Sequence, residues 1–596
     1  MWFTGTISRK LLLDKKLVAL VPFKNWSRQV LQTDPTLVLP EHLTEHSGDN
    51  KEGLPLMNTP LLMEHLFTYA TTYYPRREVI TRTASGIQRF SYAQFGERTR
   101  RLSSALATLG VRHGDRVGTL AWNDHRHLEA YFGIPCMGSV LHTINIRLAP
   151  DQIAYIINHA EDRVLLVDSG LLPLLESIRD NIPTVRAVLI MGDHVDPAAS
   201  PIQPAYSYEA LLAEGDPHFG YPTDLDENSP MGMCYTSATT GNPKGVLYSH
   251  RGLYLHSLLL GMANTAALSE NDTVLPIVPM FHANAWGIPF ATVWFGANIV
   301  LPGPAPTPAI LVDLFEQEHV TVAAGVPTVW LGVLQQLDAN PRSLALRMVL
   351  CGGSAAPESL IRAYEERHHI PFVHAYGMTE TSPLATFSRL KTHQQSLSVD
   401  ERLAIRATQG FLVPGLEMRL MSDHGEAAWN GEEMGELWLR GPWVADHYYQ
   451  DERSQDTFRD GWLHTGDVAT VDAEGFVRLV DRTKDLIKSG GEWISSVDLE
   501  NAIMGHPAVL EAAVVGIAHP KWDERPLACV VLKPGQSVTP AELIGFLQPK
   551  FPKWWLPDAV VFLDEIPKTS VGKFMKRALR DQYRDYMPNQ AEPNPS

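Results

Sequence analysis

The sequence predicts an α/β protein, with a large N-terminal domain built on doubly wound sheets and a small α+β C-terminal domain behind it. Three observations carry this. Short apolar, β-branched runs alternate with stretches of helical periodicity, as buried parallel strands and their crossover helices do. Glycine turns follow several of those runs, where the crevice of such a sheet opens. Near residue 481 a charged, glycine-interrupted stretch breaks the pattern and sets off a last unit of about a hundred residues.

Residues 1–55 read as a loose N-terminal extension. The opening apolar run is split by Asp14, Lys15 and Lys16, which makes a poor signal peptide, and an acidic, proline-containing stretch follows. An organelle presequence is the alternative there. From about Leu56 the pattern becomes regular. Ser91 and Gln94 form a capping box, and Phe95, Leu102, Leu106 and Leu109 recur at helical spacing until Gly110 stops the helix. Arg163 to Asp168, Ala187 to Gly192 and Leu346 to Leu350 are short apolar strands. A turn at Gly352 and Gly353 comes next, then a helix entered through Pro357 and Glu358, then "IPFVHAYGMTETS", a strand ending in a glycine loop. The joint is "DRTKDLIKSGGEWISS", which divides the chain into domains at 56–481 and 482–596.

With 596 residues, 44% hydrophobic and 20% charged, the composition is that of a globular protein large enough for at least two cores. The formal charge is −17, from 50 Lys and Arg against 67 Asp and Glu. Such a chain has no general attraction for nucleic acid or an anionic membrane, so anionic ligands must be held by local donors. Cys136, Cys234, Cys351 and Cys529 lie far apart with no C-x-x-C pair, which argues against a zinc site or a disulfide framework and for a cytoplasmic protein. No apolar run reaches the roughly 18 residues a transmembrane helix needs; peripheral contact with a membrane stays open.

"YTSATTGNPKGV", Tyr235 to Val246, is not a Walker A loop, because Lys244 follows Pro243 and precedes Gly245 instead of leading into a helix. Its hydroxyls at Thr236, Ser237, Thr239 and Thr240, the amide of Gly241 and the charge of Lys244 still suit a pyrophosphate. Alone, such a loop is more often a polar turn. It is followed in order by "VPMFHANAWG", "HAYGMTETS", "GWLHTGDVA", "DRTKDLIKSGGEWISS" and "PKTSVGKFMKR". Together the six stretches resemble the adenylate-forming superfamily of acyl-CoA synthetases, luciferases and peptide-synthetase adenylation domains, from about Leu56 to Met587. They are most similar to its medium- and long-chain fatty-acyl-CoA synthetases.

The resemblance implies activation of a carboxylic acid by ATP to an acyl adenylate, then displacement of AMP by coenzyme A, with a magnesium ion at Thr236 and Glu380. It assigns Thr379 to the α-phosphate, Gly353, Tyr376 and Gly377 to the adenine, Asp467 and Arg482 to the ribose, and Lys484, Lys488 and Trp493 to further nucleotide contacts. It makes Lys573 the catalytic lysine, assisted by His282, Thr379 and Glu380. It lines the acyl tunnel with His282, Ala283 and Trp286, and it makes Asp481 and Lys484 the hinge on which a mobile C-terminal domain turns. One departure stands out: Ala238 occupies a position where the family usually has glycine, and it is harmless if that residue is ordinary extended backbone. A homodimer is implied by analogy only. The rival readings are a CoA ligase for an aryl or methylthio-substituted short acid, a non-catalytic nucleotide- or acyl-binding member, and, less favoured, a luciferase-like oxidase.

Overall fold

The computed structural model describes residues 58–236, 242–490, 492–569, 572–584 and 586. Pro60 to Ser596 forms one unit, and Met1 to Thr59 splits from it. The expected N-terminal extension, residues 1–55, therefore lies outside the described residues.

The capped helix spans Tyr92–Thr108, with the Ser91 hydroxyl accepting from the Gln94 amide at 3.2 Å and buried Phe95, Leu102 and Leu106 on its inner face. The predicted strands are Val164–Asp168 and Ala187–Met191, parallel neighbours in a seven-stranded sheet. They are buried along nearly their whole length, which is why they read as unbroken apolar runs. At the other side of this sheet Pro230–Tyr235 runs parallel to Val140–Thr143 and turns back into Gly245–Ser249. The loop between them is the Thr/Gly/Lys stretch.

A second sheet has fifteen strands and two characters. Six of its strands pair in parallel, among them Thr273–Pro276, Val322–Gly325, Met348–Cys351 and Phe372–Gly377. From Leu384–Phe387 onward it is antiparallel, through Gly410–Leu412, Phe476–Arg482, Trp462–Val471 and Gly435–Arg440. The doubly wound expectation covers the parallel part and omits this antiparallel half. Strands there such as Glu417–Ser422 and Gly435–Arg440 are only half buried, so their sequences alternate and carry charges.

The smaller C-terminal region has a five-stranded sheet of its own and a separate core of Leu499, Ile503, Val514, Leu543 and Leu547. Asp481, expected in a hinge loop, is instead the penultimate residue of strand Phe476–Arg482 and is buried. It accepts from the Ser496 amide at 3.0 Å and from the Ser496 hydroxyl, and the Lys576 ammonium lies 3.9 Å away. Lys576 also pairs with Glu500 at 2.9 Å, so three short segments meet at one charged knot. No helix among the described residues is long and apolar enough to cross a membrane.

Candidate active site

The strand ends converge on one cavity of about 480 Å³. Thr236 enters it at the end of Pro230–Tyr235, and the returning chain brings Lys244, the two residues being tied by Thr236 N to Lys244 O at 2.9 Å. Ser237, Ala238, Thr239, Thr240 and Gly241 lie outside the described residues. On the facing sheet Tyr376 and Gly377 end the strand Phe372–Gly377, and a tight turn over Thr379–Thr381 presents Thr379 and Glu380. Gly377 has to be glycine, since a Cβ there would lie 1.6 Å from the Pro383 carbonyl oxygen. Gly353 borders the same space with φ +87°.

The polar end is densely connected. The Tyr376 hydroxyl donates to Asp467 at 2.6 Å, and Asp467 pairs with Arg482 at 3.2 Å from the adjoining strand. The Lys244 ammonium donates to the Tyr448 hydroxyl at 2.8 Å, which in turn donates to Glu380 at 2.6 Å. The Tyr248 hydroxyl holds the Thr379 carbonyl at 3.0 Å. Lys573 reaches in from the C-terminal region on a turn closed by Thr569, and Ser570 and Val571 in that turn lie outside the described residues. Burial pushes its ammonium down to about 8, with the Arg482 charge adding to the effect and Asp467 and Glu380 opposing it. A lysine so placed is poised to lose or keep its proton near neutral pH.

The other end is apolar. One continuous run of chain between residues 260 and 288 supplies Leu260, Val278, His282, Ala283, Trp286 and Ile288 to the wall. Ala283 to Trp286 hold four successive positive φ values, 43°, 51°, 46° and 61°, before Gly287. Non-glycine residues rarely adopt this conformation, and here it turns the Trp286 ring against Gly352, where an added Cβ would meet it at 3.2 Å. His282 lines this wall, close enough to Lys573 to feel its charge. Burial pushes its imidazole down to about 3, and its Nδ1 has no partner in the described structure.

Two expected nucleotide contacts stand away from this cavity. Lys488 and Trp493 face each other across the hairpin of Ile487–Ser489 and Glu492–Ile494, which belongs to the C-terminal sheet. Lys488 is exposed and its amide donates to Glu524, while Trp493 is 44% exposed. The hairpin is held on its own sheet by the Ser489–Asp523 pairing, and that keeps both side chains out of the cleft. Conversely, sequence reading missed Tyr448, Tyr248 and Arg453, which border or brace the cavity. Only the aromatic pair in "HYYQDER" hinted at the first.

Residues 67–449 match the AMP-binding enzyme family, and residues 498–573 match the AMP-binding enzyme C-terminal domain. The chain belongs to the AMP-binding enzyme family. Among the relatives of this AMP-binding enzyme, a long-chain-fatty-acid–CoA ligase of Thermus thermophilus is 49% identical over 90% of the chain and 99% of its own length. A 3-methylmercaptopropionyl-CoA ligase of Ruegeria pomeroyi is 44% identical, covering 89% and 99%, and a medium-chain-fatty-acid–CoA ligase of Ectopseudomonas oleovorans is 43% identical, covering 89% and 98%. The crystal structure of an anthranilate CoA ligase in complex with anthranoyl-AMP superposes with a TM-score of 0.80 at 26% identity, covering 89% of this chain and 98% of that one.

Proposed function

We propose that this AMP-binding enzyme is a fatty-acid–CoA ligase that acts on medium- or long-chain acids. It is an AMP-forming acyl-CoA synthetase: the carboxylate oxygen of the acid attacks the α-phosphorus of ATP, the bond to the bridging oxygen breaks, and pyrophosphate leaves. The sulfur of coenzyme A then attacks the acyl carbon, AMP departs with the electron pair of the C–O bond, and the thiol proton goes to solvent. One observation carries the choice of acid. One cavity is lined both by cationic and hydroxyl groups, Lys244, Lys573, Arg482, Thr236 and Tyr448, and by an apolar set, Leu260, Val278, Trp286, Ile288, Leu384 and Phe387.

Two anions must be brought together in the first step, so positioning and positive charge do most of the work. Lys573 lies where it would offset charge on the carboxylate and the α-phosphate, and Lys244 and Thr236 would hold the outer phosphates. Asp467 would accept the ribose hydroxyls, with Arg482 beside it, and Tyr376, Gly377 and Gly353 would bound the adenine. His282, neutral in its buried setting, would orient the carboxylate without competing for it as an ion partner. Lys488 and Trp493 would reach the cleft only after the C-terminal region, residues 482–596, turns against residues 56–481 about Lys484.

Magnesium fits this donor set. No group of three or more His, Cys, Asp or Glu among the described residues could cage a metal, whereas magnesium commonly takes one or two carboxylates and completes its shell with phosphate oxygens and water. Glu380, 5% exposed and lining the same cavity as Thr236, would be that carboxylate, and the ion would lower the negative charge of the triphosphate. Four buried free thiols suit a cytoplasmic enzyme, a homodimer is expected by analogy with related synthetases, and peripheral contact with lipid would suit a substrate that partitions into it.

The relative named for a methylthio acid favours a second reading, a short substituted acid handled by the same chemistry. Pyrophosphate release and thioester formation measured over straight-chain acids of graded length, with 3-methylthiopropionate included, decides between them. A rise in kcat/KM from butyrate to octanoate or beyond supports the first reading; a maximum at methylthiopropionate refutes it.

A further inference from the structure

The phosphate-side loop and the Glu380 turn belong to different sheets, and one segment of chain bridges them. Going along it, the Ser382 hydroxyl donates to the Trp443 carbonyl at 2.7 Å, the Trp443 indole to the Leu384 carbonyl at 3.1 Å, and the Ala445 amide to the Glu380 carbonyl at 2.8 Å. Four residues later the Tyr449 amide donates to the Gly245 carbonyl at 2.8 Å, and Arg453 donates to the Asn242 carbonyl at 3.0 Å. The segment is thus fastened first to one ligand-facing loop and then to the other. Tyr448 sits between the two sets of fastenings, only 2% exposed, with its hydroxyl at the cavity wall.

That hydroxyl is used twice. It donates to a Glu380 carboxylate oxygen at 2.6 Å and accepts from the Lys244 ammonium at 2.8 Å, while the same ammonium lies 3.9 Å from the centre of the Tyr448 ring. Lys244 and Glu380 form no direct ion pair among the described residues. Opposite charges left to themselves in a partly desolvated cleft attract strongly, and a closed Lys–Glu pair would present neither its cation to a phosphate nor its carboxylate to a metal.

We propose that Tyr448 is the positioning residue of the triphosphate subsite, a spacer whose hydroxyl keeps Lys244 and Glu380 adjacent but unpaired until nucleotide arrives. The inference rests on the adenylation reading of this cleft and deepens it. The acting group is the hydroxyl, which meets both Lys244 and Glu380, whereas the ring touches Lys244 alone and puts nothing between the two charges. The rigid bridge matters because a spacer must not move when its two clients pull on it.

The test is equilibrium binding to the full-length protein, by calorimetry, for ATP with magnesium and for AMP. In Tyr448→Phe the dissociation constant for ATP should rise about tenfold, the scale of one lost hydrogen bond to a charged group, while AMP, which lacks the outer phosphates, stays within about twofold. Magnesium should also enhance ATP binding less in the variant than in the wild type. In a Lys244→Met background, where no cation remains to collapse onto Glu380, adding Tyr448→Phe should change the ATP constant by less than about twofold. The proposal is overturned if Tyr448→Phe leaves ATP binding unchanged, or if ATP and AMP weaken together, which marks general damage to the cleft. If Tyr448→Phe does not fold, the Lys244→Met protein still decides: it should lose ATP affinity and keep AMP affinity, and equal losses overturn the spacer. A wild-type protein that binds neither nucleotide would refute the adenylation reading itself.

Discussion

The ε-carbon of Lys573 lies 3.4 Å from the position that a Cβ would take on Gly353. The lysine arrives from the C-terminal region and the glycine from the turn after Met348–Cys351, and a Cβ at 353 would just touch the lysine stem, so a longer side chain there would crowd it. Gly353→Leu should therefore act on the first half-reaction alone. With the positive φ adding about 1 kcal/mol of strain, acid-dependent exchange of pyrophosphate into ATP should fall by about 100-fold or more. Thioester formation from supplied acyl adenylate should fall far less. Equal losses in both assays would show that the residue serves the fold and not Lys573.

The ionisation of Lys573 sets a pH limit. Its amine is cationic below its folded value of about 8 and neutral above it, so the adenylation step in the free enzyme should decline as pH rises through about 8. The Lys573→Met variant should lose that alkaline limb along with about 100-fold or more of the rate. The sign for stability is opposite. Because the folded value lies below the ordinary 10.5, the unfolded chain binds more protons between about 8 and 10.5, and this lysine's unfavourable contribution is full below 8 and fades above it. Lys573→Met should thus melt at a higher temperature than wild type at pH 7, with the gain shrinking towards pH 10.

Lys576 carries a different burden. It neutralises Glu500, whose carboxyl is pushed up to about 7 by burial, and it stands near buried Asp481. Lys576→Met would leave two buried carboxyls short of a partner and should cost about 3 kcal/mol, read from urea unfolding. It should also slow pyrophosphate exchange, because the helix Lys576–Gln582 begins just after the turn that carries Lys573. The double variant Lys576→Met with Glu500→Leu should recover much of the stability.

Trp286 closes the apolar end against Gly352. Trp286→Ala should shift preference towards longer acids, with each extra methylene that finds cover contributing up to about 0.8 kcal/mol to kcat/KM. The comparison of hexanoate, decanoate and tetradecanoate in the two proteins measures it. An unchanged ranking would mean that the chain leaves the cavity by another side.

The resemblance singled out the candidate site residues, and the patterning of the sequence located the elements that carry them. Tyr376 and Gly377 end one strand and Glu380 comes in the turn after it, Thr236 follows another strand, and Asp467 and Arg482 fall opposite each other in neighbouring strands. The capping box at Ser91 located its helix to the residue. Illegible were features whose signal is not periodic. The antiparallel half of the large sheet runs through short, charged strands such as Glu417–Ser422 and Gly435–Arg440, which resemble loops when read singly. Tyr448 is one aromatic in an irregular stretch, and nothing local says that its hydroxyl meets residues some 70 and 200 positions away, as its bonds to Glu380 and Lys244 do. Lys488 and Trp493 were drawn to the nucleotide by resemblance, while the hairpin that pairs them holds both on the outer sheet.

Leu260, Val278, Ala283, Trp286 and Ile288 of the cavity's apolar lining come from one piece of the chain, and Val326, Leu350, Leu384 and Phe387 join them from other segments. Descendants of such a protein can change diet while keeping the same fuel: a handful of substitutions between positions 260 and 288, matched by changes at Val326, Leu350, Leu384 or Phe387, would retune what is eaten.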